Sequence, residues 1–253
     1  MIGRKITYKD TLNSTNNYVA NLVRENKIEH GTVILAGSQI AGKGQRGAVW
    51  DSEPLKNISL SAFLNHVNLS VNNSFLLTQA ISLAVFDFLN EFDSNFKIKW
   101  PNDILWNNSK IAGILIETQL EKGKFSELLI KNSIVGLGIN VNQEKFGDYN
   151  ALSLKSILKK ELVIQDLVLK LIDKLNVRFN ELEAFQFKKI KRDYLANLWL
   201  FEKESLFKEE EIIFKGTITG IDEIGRLVVQ NLDSKEVKAY QNKEIVFVER
   251  NGF

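Results

Sequence analysis

A strong helical stripe lies over residues 75–92, where Leu77, Ile81, Ala84, Val85, Phe88, Leu89 and Phe92 recur at helical spacing behind an Asn73-Ser74 start signal. Such a stripe predicts a helix laid on a sheet. A second stripe, Leu167, Val168, Leu171, Ile172, Leu175 and Phe179, predicts a helix over 162–182, with helical character running on to about Leu198. Near the N-terminus, Ser14-Thr15-Asn16-Asn17 precedes Val19, Leu22 and Val23 at helical spacing, which predicts a capped helix beginning near Ser14. Small polar side chains then sit at a helix N-terminus.

Between these stripes the period shortens. Residues 32–36 and 58–64 read as strands joined by a loop that starts with the glycine-rich run 37–47. Residues 97–100, 103–106, 110–117, 125–130 and 134–141 are short, β-branched segments separated by Asn, Ser or Gly turns, and they predict a central sheet. From Glu202 the chain becomes a series of short alternating segments, 211–219, 226–230 and 244–249, with an Asp222-Glu223-Ile224-Gly225 turn between the first two. The expected class is α+β: a mixed sheet with packed helices over 1–200, and a small SH3-like β-barrel over 201–253.

Composition narrows the chemistry. With 44% apolar and 25% charged residues in 253, the chain is an ordinary globular one. Lys plus Arg number 33 against 31 Asp plus Glu, a formal charge of +2, so no global field for duplex DNA or an anionic membrane is expected. The absence of cysteine removes disulfides and thiolate nucleophiles, and His30 and His66 are the only imidazoles. No segment is an uninterrupted apolar run long enough to span a bilayer, and the expectation is a soluble, cytoplasmic protein.

Three stretches carry candidate chemistry. In Gln39-Ile40-Ala41-Gly42-Lys43-Gly44-Gln45-Arg46-Gly47, glycines free backbone N–H groups to approach an anion while Lys43 and Arg46 supply charge. It is neither a Walker loop nor a dinucleotide fingerprint, because no Gly-Lys-Ser/Thr follows and the next element is a strand. In Lys99-Trp100-Pro101-Asn102-Asp103 and Lys110-Ile111-Ala112-Gly113-Ile114-Leu115-Ile116-Glu117, Lys110 opens an otherwise apolar strand, where an ammonium facing a cleft can meet a carboxylate or phosphate. Asp103 is placed to orient Lys110 or Arg46. In Val135-Gly136-Leu137-Gly138-Ile139-Asn140, the glycines clear space for another body, Asn140 offers a donor and acceptor for an adenine edge, and Trp50 offers a stacking face. Taken singly, each has a plain alternative: a mobile basic loop, an edge lysine, a turn aspartate, a core Trp50 and a strand-end Asn140.

In this order the stretches resemble the biotin–protein ligase family, over about residues 14–142. The resemblance implies a catalytic domain akin to that of class II aminoacyl-tRNA synthetases and a small terminal β-domain. It implies that Ser14, Thr15, Asn16 and Gln39 hold the biotin ureido head, that Gly42, Lys43, Gly44, Gln45, Lys110 and Gly113 bind biotin, and that Lys43, Arg46, Trp50, Asn102, Asp103, Lys110 and Asn140 serve ATP or the adenylate, with Lys110 touching both the biotin carboxylate and the α-phosphate and Lys110 and Arg46 catalytic. The implied reaction uses ATP and Mg²⁺ to form biotinyl-5′-adenylate and transfers biotin to a lysine of a biotin carboxyl carrier protein, the Mg²⁺ ligands being unassigned. Many relatives have arginine where this loop has Lys43 and Gln45, and often at Ala48, so the loop here carries less positive charge.

Within the same fold the alternatives are a lipoate–protein ligase, whose double-arginine and triple-glycine loop is absent, and a non-catalytic biotin-binding module. Some relatives carry an N-terminal helix-turn-helix. Thirteen residues precede Ser14 here, so a short form without DNA binding is expected, as a monomer or homodimer.

Overall fold

The computed structural model describes residues 1–66, 69–124 and 126–248, with the Arg46 side chain outside the description. The predicted stripes and alternations assemble into two sheets. A seven-stranded mixed sheet has the order β1 (Lys5–Leu12), β2 (Thr32–Gln39), β3 (Asn57–Asn65), β7 (Leu128–Asn140), β6 (Ser109–Lys122), β5 (Asp103–Trp106) and β4 (Phe96–Lys99). Only β1 and β2 pair in parallel.

Alternation along the central strands sorts side chains onto two faces. On one face Val33, Leu64, Val135 and Ile139 join the main core, covered by α2 (Ser74–Leu89), α4 (Ile164–Glu183) and α5 (Phe187–Ala196). On the other, Ile34, Phe63 and Ile134 meet Val19 of α1 (Thr15–Arg24) in a smaller cluster. The rest of this second face is left for the site. Arg178 of α4 ties the helical layer together through Asp87 of α2 (Nε to Oδ2, 2.6 Å) and Asp193 of α5 (Nη1 to Oδ2, 2.8 Å).

Residues 204–248 add a five-stranded antiparallel sheet in the order β11 (Val237–Tyr240), β10 (Leu227–Asn231), β9 (Ile212–Ile221), β8 (Glu204–Glu209), β12 (Val246–Val248). The expected Asp222–Gly225 turn joins β9 to β10, held by the Asp222 carboxylate accepting from the backbone N–H of Ile224 and Arg226. Gly225 adopts φ +90°, and a Cβ there would lie 2.3 Å from the Phe75 ring of α2. Its carbonyl accepts a 2.9 Å bond from the buried Trp100 indole, so the second sheet docks directly on the turn that precedes β5.

Several expectations need correction. The segments 125–130 and 134–141 are one strand over the described residues, β7, because Asn132 pairs laterally with Gln119 of β6 (3.1 Å) instead of turning the chain. Phe125, at the start of the expected segment, lies outside the described residues, as does Glu249 at the end of the last one. The helical run to Leu198 breaks at Ala184–Gln186, where Phe185 takes φ 56°, giving α4 and α5. Gly37 belongs to β2 and not to the loop. The edge strand β1, the short α3 (Leu154–Leu158), β8 and β11 have no counterpart among the expected elements.

Candidate functional site

The open part of the second face is a cavity of about 410 Å³, floored by the main sheet and walled by the 43–50 loop and by Asn242–Phe247. Its inner end is neutral and heavily hydrogen-bonded. Ser14 is the N-cap of α1 by backbone geometry, yet its side chain makes no capping bond. Gln39 supplies that function from the end of β2: its Oε1 accepts from the Thr15 backbone N–H at 2.8 Å and from Thr15 Oγ1 at 3.2 Å. Asn16 donates Nδ2 to Glu117 Oε2 at 2.7 Å, and the Ser61 hydroxyl lies 2.5 Å from Asn16 Oδ1 and 2.7 Å from Thr15 Oγ1. Thr15, Asn16 and Ser61 are buried, Gln39 is half-buried and Glu117 is exposed, and the bonds among them fix the orientations of the buried groups. Ser61 and Glu117 position this nest although neither borders the cavity; Glu117 stood in the sequence motif without a role, and nothing in the pattern marked Ser61.

The glycines of β6 and β7 do admit another body, and that body belongs to the chain. A Cβ at Gly136 would sit 2.3 Å from Asn16 Oδ1, and one at Gly138 would sit 2.3 Å from the Trp50 indole. Gly113, paired with Gly138 across β6 and β7, would bring a Cβ within 3.0 Å of the same ring. Trp50 therefore lies over two neighbouring glycines. Its indole Nε1 is buried with no hydrogen-bond partner among the described residues, an arrangement that typically costs ~1–3 kcal/mol and leaves a donor for a ligand to satisfy.

Lys110 reaches the cavity by a β-bulge. Strict alternation from Gly113 would turn Lys110 to the opposite face. In the β5–β6 pairing, however, Asp103 faces Gly113 and Ile104 faces Ala112, whereas Leu105 faces Lys110, so Ile111 is the extra residue. The bulge returns Lys110 to the cleft face, where its Nζ lies 2.7 Å from Asp103 Oδ1 and 5.6 Å from the centre of the Trp50 ring. Asp103 thus orients Lys110. The turn carrying it is braced from below by the Tyr194 hydroxyl, which donates to the Pro101 carbonyl at 3.3 Å; burial, and then the Asp103 charge, push the Tyr194 pKa upward and keep it a neutral donor. Asn102 lines the cavity, its Nδ2 held on the Ile114 carbonyl at 2.6 Å.

In the loop, Gly42 does not border the cavity. Its carbonyl accepts from Trp50 N–H at 2.9 Å and its Cα abuts the Trp50 carbonyl, so it closes the neck of the loop. Lys43, Gly44 and Gln45 do border it; the Lys43 ammonium donates to Asn17 Oδ1 at 2.9 Å, and Gln45 Oε1 accepts from Asn242 of the second sheet at 3.2 Å. Asn140, expected at an adenine edge, does not border the cavity. Its buried Nδ2 donates to the Leu152 carbonyl at 3.1 Å, because the Asn150–Leu152 segment runs beside Lys110 and covers the end of β7. Asn140 is a strand-end tie. Arg46, expected beside the phosphate, has its side chain outside the described residues.

Among the described residues lining the cavity, Lys43, Lys99, Lys110 and Lys243 face a single carboxylate, Asp103. The cavity therefore suits an anion at its outer part and a neutral polar head at its inner end. No group of three His, Cys, Asp or Glu that could hold a metal occurs among the described residues, and no helix there is long and apolar enough to cross a membrane.

Comparison with known proteins agrees with this arrangement. The bifunctional ligase/repressor BirA of Bacillus subtilis is 34% identical over 145 residues, 57% of this chain and 42% of that protein. The biotin–[acetyl-CoA-carboxylase] ligase of Mycobacterium tuberculosis is 32% identical over 117 residues, 45% of this chain and 40% of that protein. The chain thus spans less than half the length of either relative. A biotin protein ligase from Aquifex aeolicus, solved in complex with biotin and ATP, superposes with a TM-score of 0.72 at 22% identity over 96% of this chain and 98% of that one, which shows a shared fold including the second sheet. The profile of the biotin/lipoate A/B protein ligase family matches residues 8–140, more than half of the sequence, and the chain belongs to that family.

Proposed function

We propose that this chain activates biotin with ATP to give biotinyl-5′-adenylate and transfers the biotinyl group to a lysine of a biotin carboxyl carrier protein. The observation that carries this reading is the continuity of one cavity from the neutral nest of Thr15, Asn16 and Gln39 to the Lys110–Asp103 pair. A ureido head is uncharged and rich in donors and acceptors, which matches the nest, and the carboxylate at the far end of the tail then falls near Lys110. The relatives named as ligases and the fold shared with a biotin protein ligase support the same choice.

The residues divide the work by position. Ser14, Thr15, Asn16 and Gln39 hold the head; Gly113, Gly44, Lys43 and Gln45 flank the tail; Lys110, aimed by Asp103, faces the carboxylate and the α-phosphate. A fixed ammonium there offsets the charge that builds on the phosphoryl oxygens, and closure by the 43–50 loop keeps water from the mixed anhydride. In the transfer step the acceptor amine attacks the anhydride carbonyl and AMP leaves. Asp103, the one carboxylate on the described cavity wall, is engaged by Lys110, so the residues do not form a metal centre, and Mg²⁺ is assigned to the ATP that brings it. The test is incubation with biotin, ATP and Mg²⁺, with lipoate as competitor; biotinyl-adenylate and pyrophosphate are the expected products. Lipoyl-adenylate forming in preference would replace biotin by lipoate, and neither adenylate forming would leave only a binding module.

Trp50 is assigned to the purine. Stacking a base on an aromatic face contributes ~1–3 kcal/mol by alanine substitution, so Trp50→Ala is expected to raise the KM for ATP about tenfold or more. Calorimetry with biotin alone should show a smaller change. A greater loss for biotin than for ATP would reassign the indole to the acid.

A further inference from the structure

Lys99 has no role in the scheme above, yet it stands in line with the site. Cross-strand pairing places Lys99 opposite Asp103, Asp103 opposite Gly113, and Gly113 opposite Gly138, a single row over β4, β5, β6 and β7. At about 4.8 Å per strand, Lys99 lies about 10 Å along the sheet from Gly113, on the side away from the neutral nest. Its ammonium is 5.4 Å from the centre of the Trp199 ring and 5.5 Å from that of Phe247, two rings themselves 5.3 Å apart. Phe247 belongs to β12 of the second sheet and Trp199 to the connection between α5 and β8, so the second sheet and the segment leading into it hold this side chain of β4. Among the described residues no carboxylate forms an ion pair with Lys99, since Asp103 is taken by Lys110. Lys243 borders the same mouth.

The geometry points to Lys99 as a further catalytic residue, one that binds the pyrophosphate leaving group. This rests on the adenylation reading. In that step a carboxylate oxygen of the acid bonds to the α-phosphorus while the bond from the α-phosphorus to the α,β-bridging oxygen breaks; that oxygen keeps the electron pair and departs in pyrophosphate. With the acid entering from the nest and the α-phosphate at Lys110, the leaving group must point away from the nest, along the row toward Lys99. Two aromatic faces hold the lysine stem and partly dehydrate the ammonium while satisfying it only as a cation, which leaves its N–H donors for phosphate oxygens.

The test uses the full chain and inorganic pyrophosphate as the probe, comparing the parent with Lys99→Met, which keeps an apolar stem between the rings, and Lys99→Arg. The parent should bind pyrophosphate in a calorimetric titration, Lys99→Met should bind it about tenfold more weakly or worse, and Lys99→Arg should recover part of the loss. The KM for ATP in biotin-dependent ATP–pyrophosphate exchange should rise in Lys99→Met. Transfer from ready-made biotinyl-adenylate, which carries no pyrophosphate, should stay within about twofold of the parent. Undiminished pyrophosphate binding by Lys99→Met, no binding by the parent, or a fall in transfer matching the fall in adenylation would overturn the assignment. Lys99-dependent pyrophosphate binding in a chain that shows no biotin-dependent exchange would support the leaving-group site and discard biotin as the acid.

Discussion

Lys110→Ala is expected to fold normally and to form adenylate a hundred- to a thousand-fold more slowly than the parent. Loss of a donor aimed at developing oxyanion charge removes ~2.7–4 kcal/mol of transition-state stabilisation, which is that range of rate. Folding is spared because the Lys110–Asp103 pair is partly exposed, at 36% and 26% of the two side chains, and water replaces the lost partner. The bulge at Ile111 stays, since it is held by backbone bonds from Lys110 N–H to the Asn150 carbonyl (2.9 Å) and from Leu152 N–H to the Lys110 carbonyl (3.0 Å). Lys110→Arg should recover activity only in part, a broad planar guanidinium being unable to take the place of a compact ammonium between two anionic groups. Single-turnover adenylate formation with the unfolding midpoint measured alongside decides the matter. A folded Lys110→Ala chain making adenylate at close to the parent rate would reduce Lys110 to an edge lysine.

Gly136→Ala is the second large effect. The added Cβ would meet Asn16 Oδ1 at 2.3 Å, and Asn16 has nowhere to retreat because Glu117, Ser61 and the Leu115 carbonyl hold its amide on three sides. Overpacking of this kind costs about 1–3 kcal/mol of stability when it is absorbed by side-chain and backbone shifts. The displaced carboxamide is one of the groups assigned to the ureido head, so biotin affinity should fall by about tenfold or more, as when a hydrogen bond in a preorganised site is lost. ATP binding, served by the other end of the cavity, should change little. Titration calorimetry with each substrate separates the two, and unchanged biotin affinity would remove Asn16 from the biotin contacts.

The sequence shows the long elements well and the corrections to them poorly. The stripe over 75–92 and the strands 97–106 carry their own period and appear within three residues of the expected bounds, α2 stopping at Leu89 short of Phe92, because the same periodicity that marks an element also decides its buried face. The junction at Lys131-Asn132-Ser133 reads as a turn because lateral pairing of Asn132 with Gln119 depends on a neighbour thirteen residues away. Lys110 faces the cleft, but its place at the head of a strand does not turn it there. What turns it inward is the unpaired Ile111, and the only trace of this in the sequence is the odd spacing of Lys110 and Gly113. Asn140 shows the opposite case. Alternation places it on the same face as Gly136 and Gly138, but the Asn150–Leu152 segment that covers it follows from tertiary packing. Gln39 as the cap of α1 is likewise a long-range fact, set by β2 ending beside the start of that helix.

The row from Lys99 through Asp103 and Gly113 to Gly138 has a consequence for how such a protein can be retargeted. The groups assigned to choosing the acid gather at one end, on α1, the end of β2, Ser61 of β3 and Glu117 toward the far part of β6, while those assigned to activating any acid lie along β4, β5 and the start of β6. Neighbouring strands are stepped by a backbone ladder that does not depend on side-chain identity, so the two ends are separable. Redesign for a new carboxylic acid would therefore be confined to Thr15, Asn16, Gln39, Ser61 and Glu117, with the phosphate track inherited unchanged.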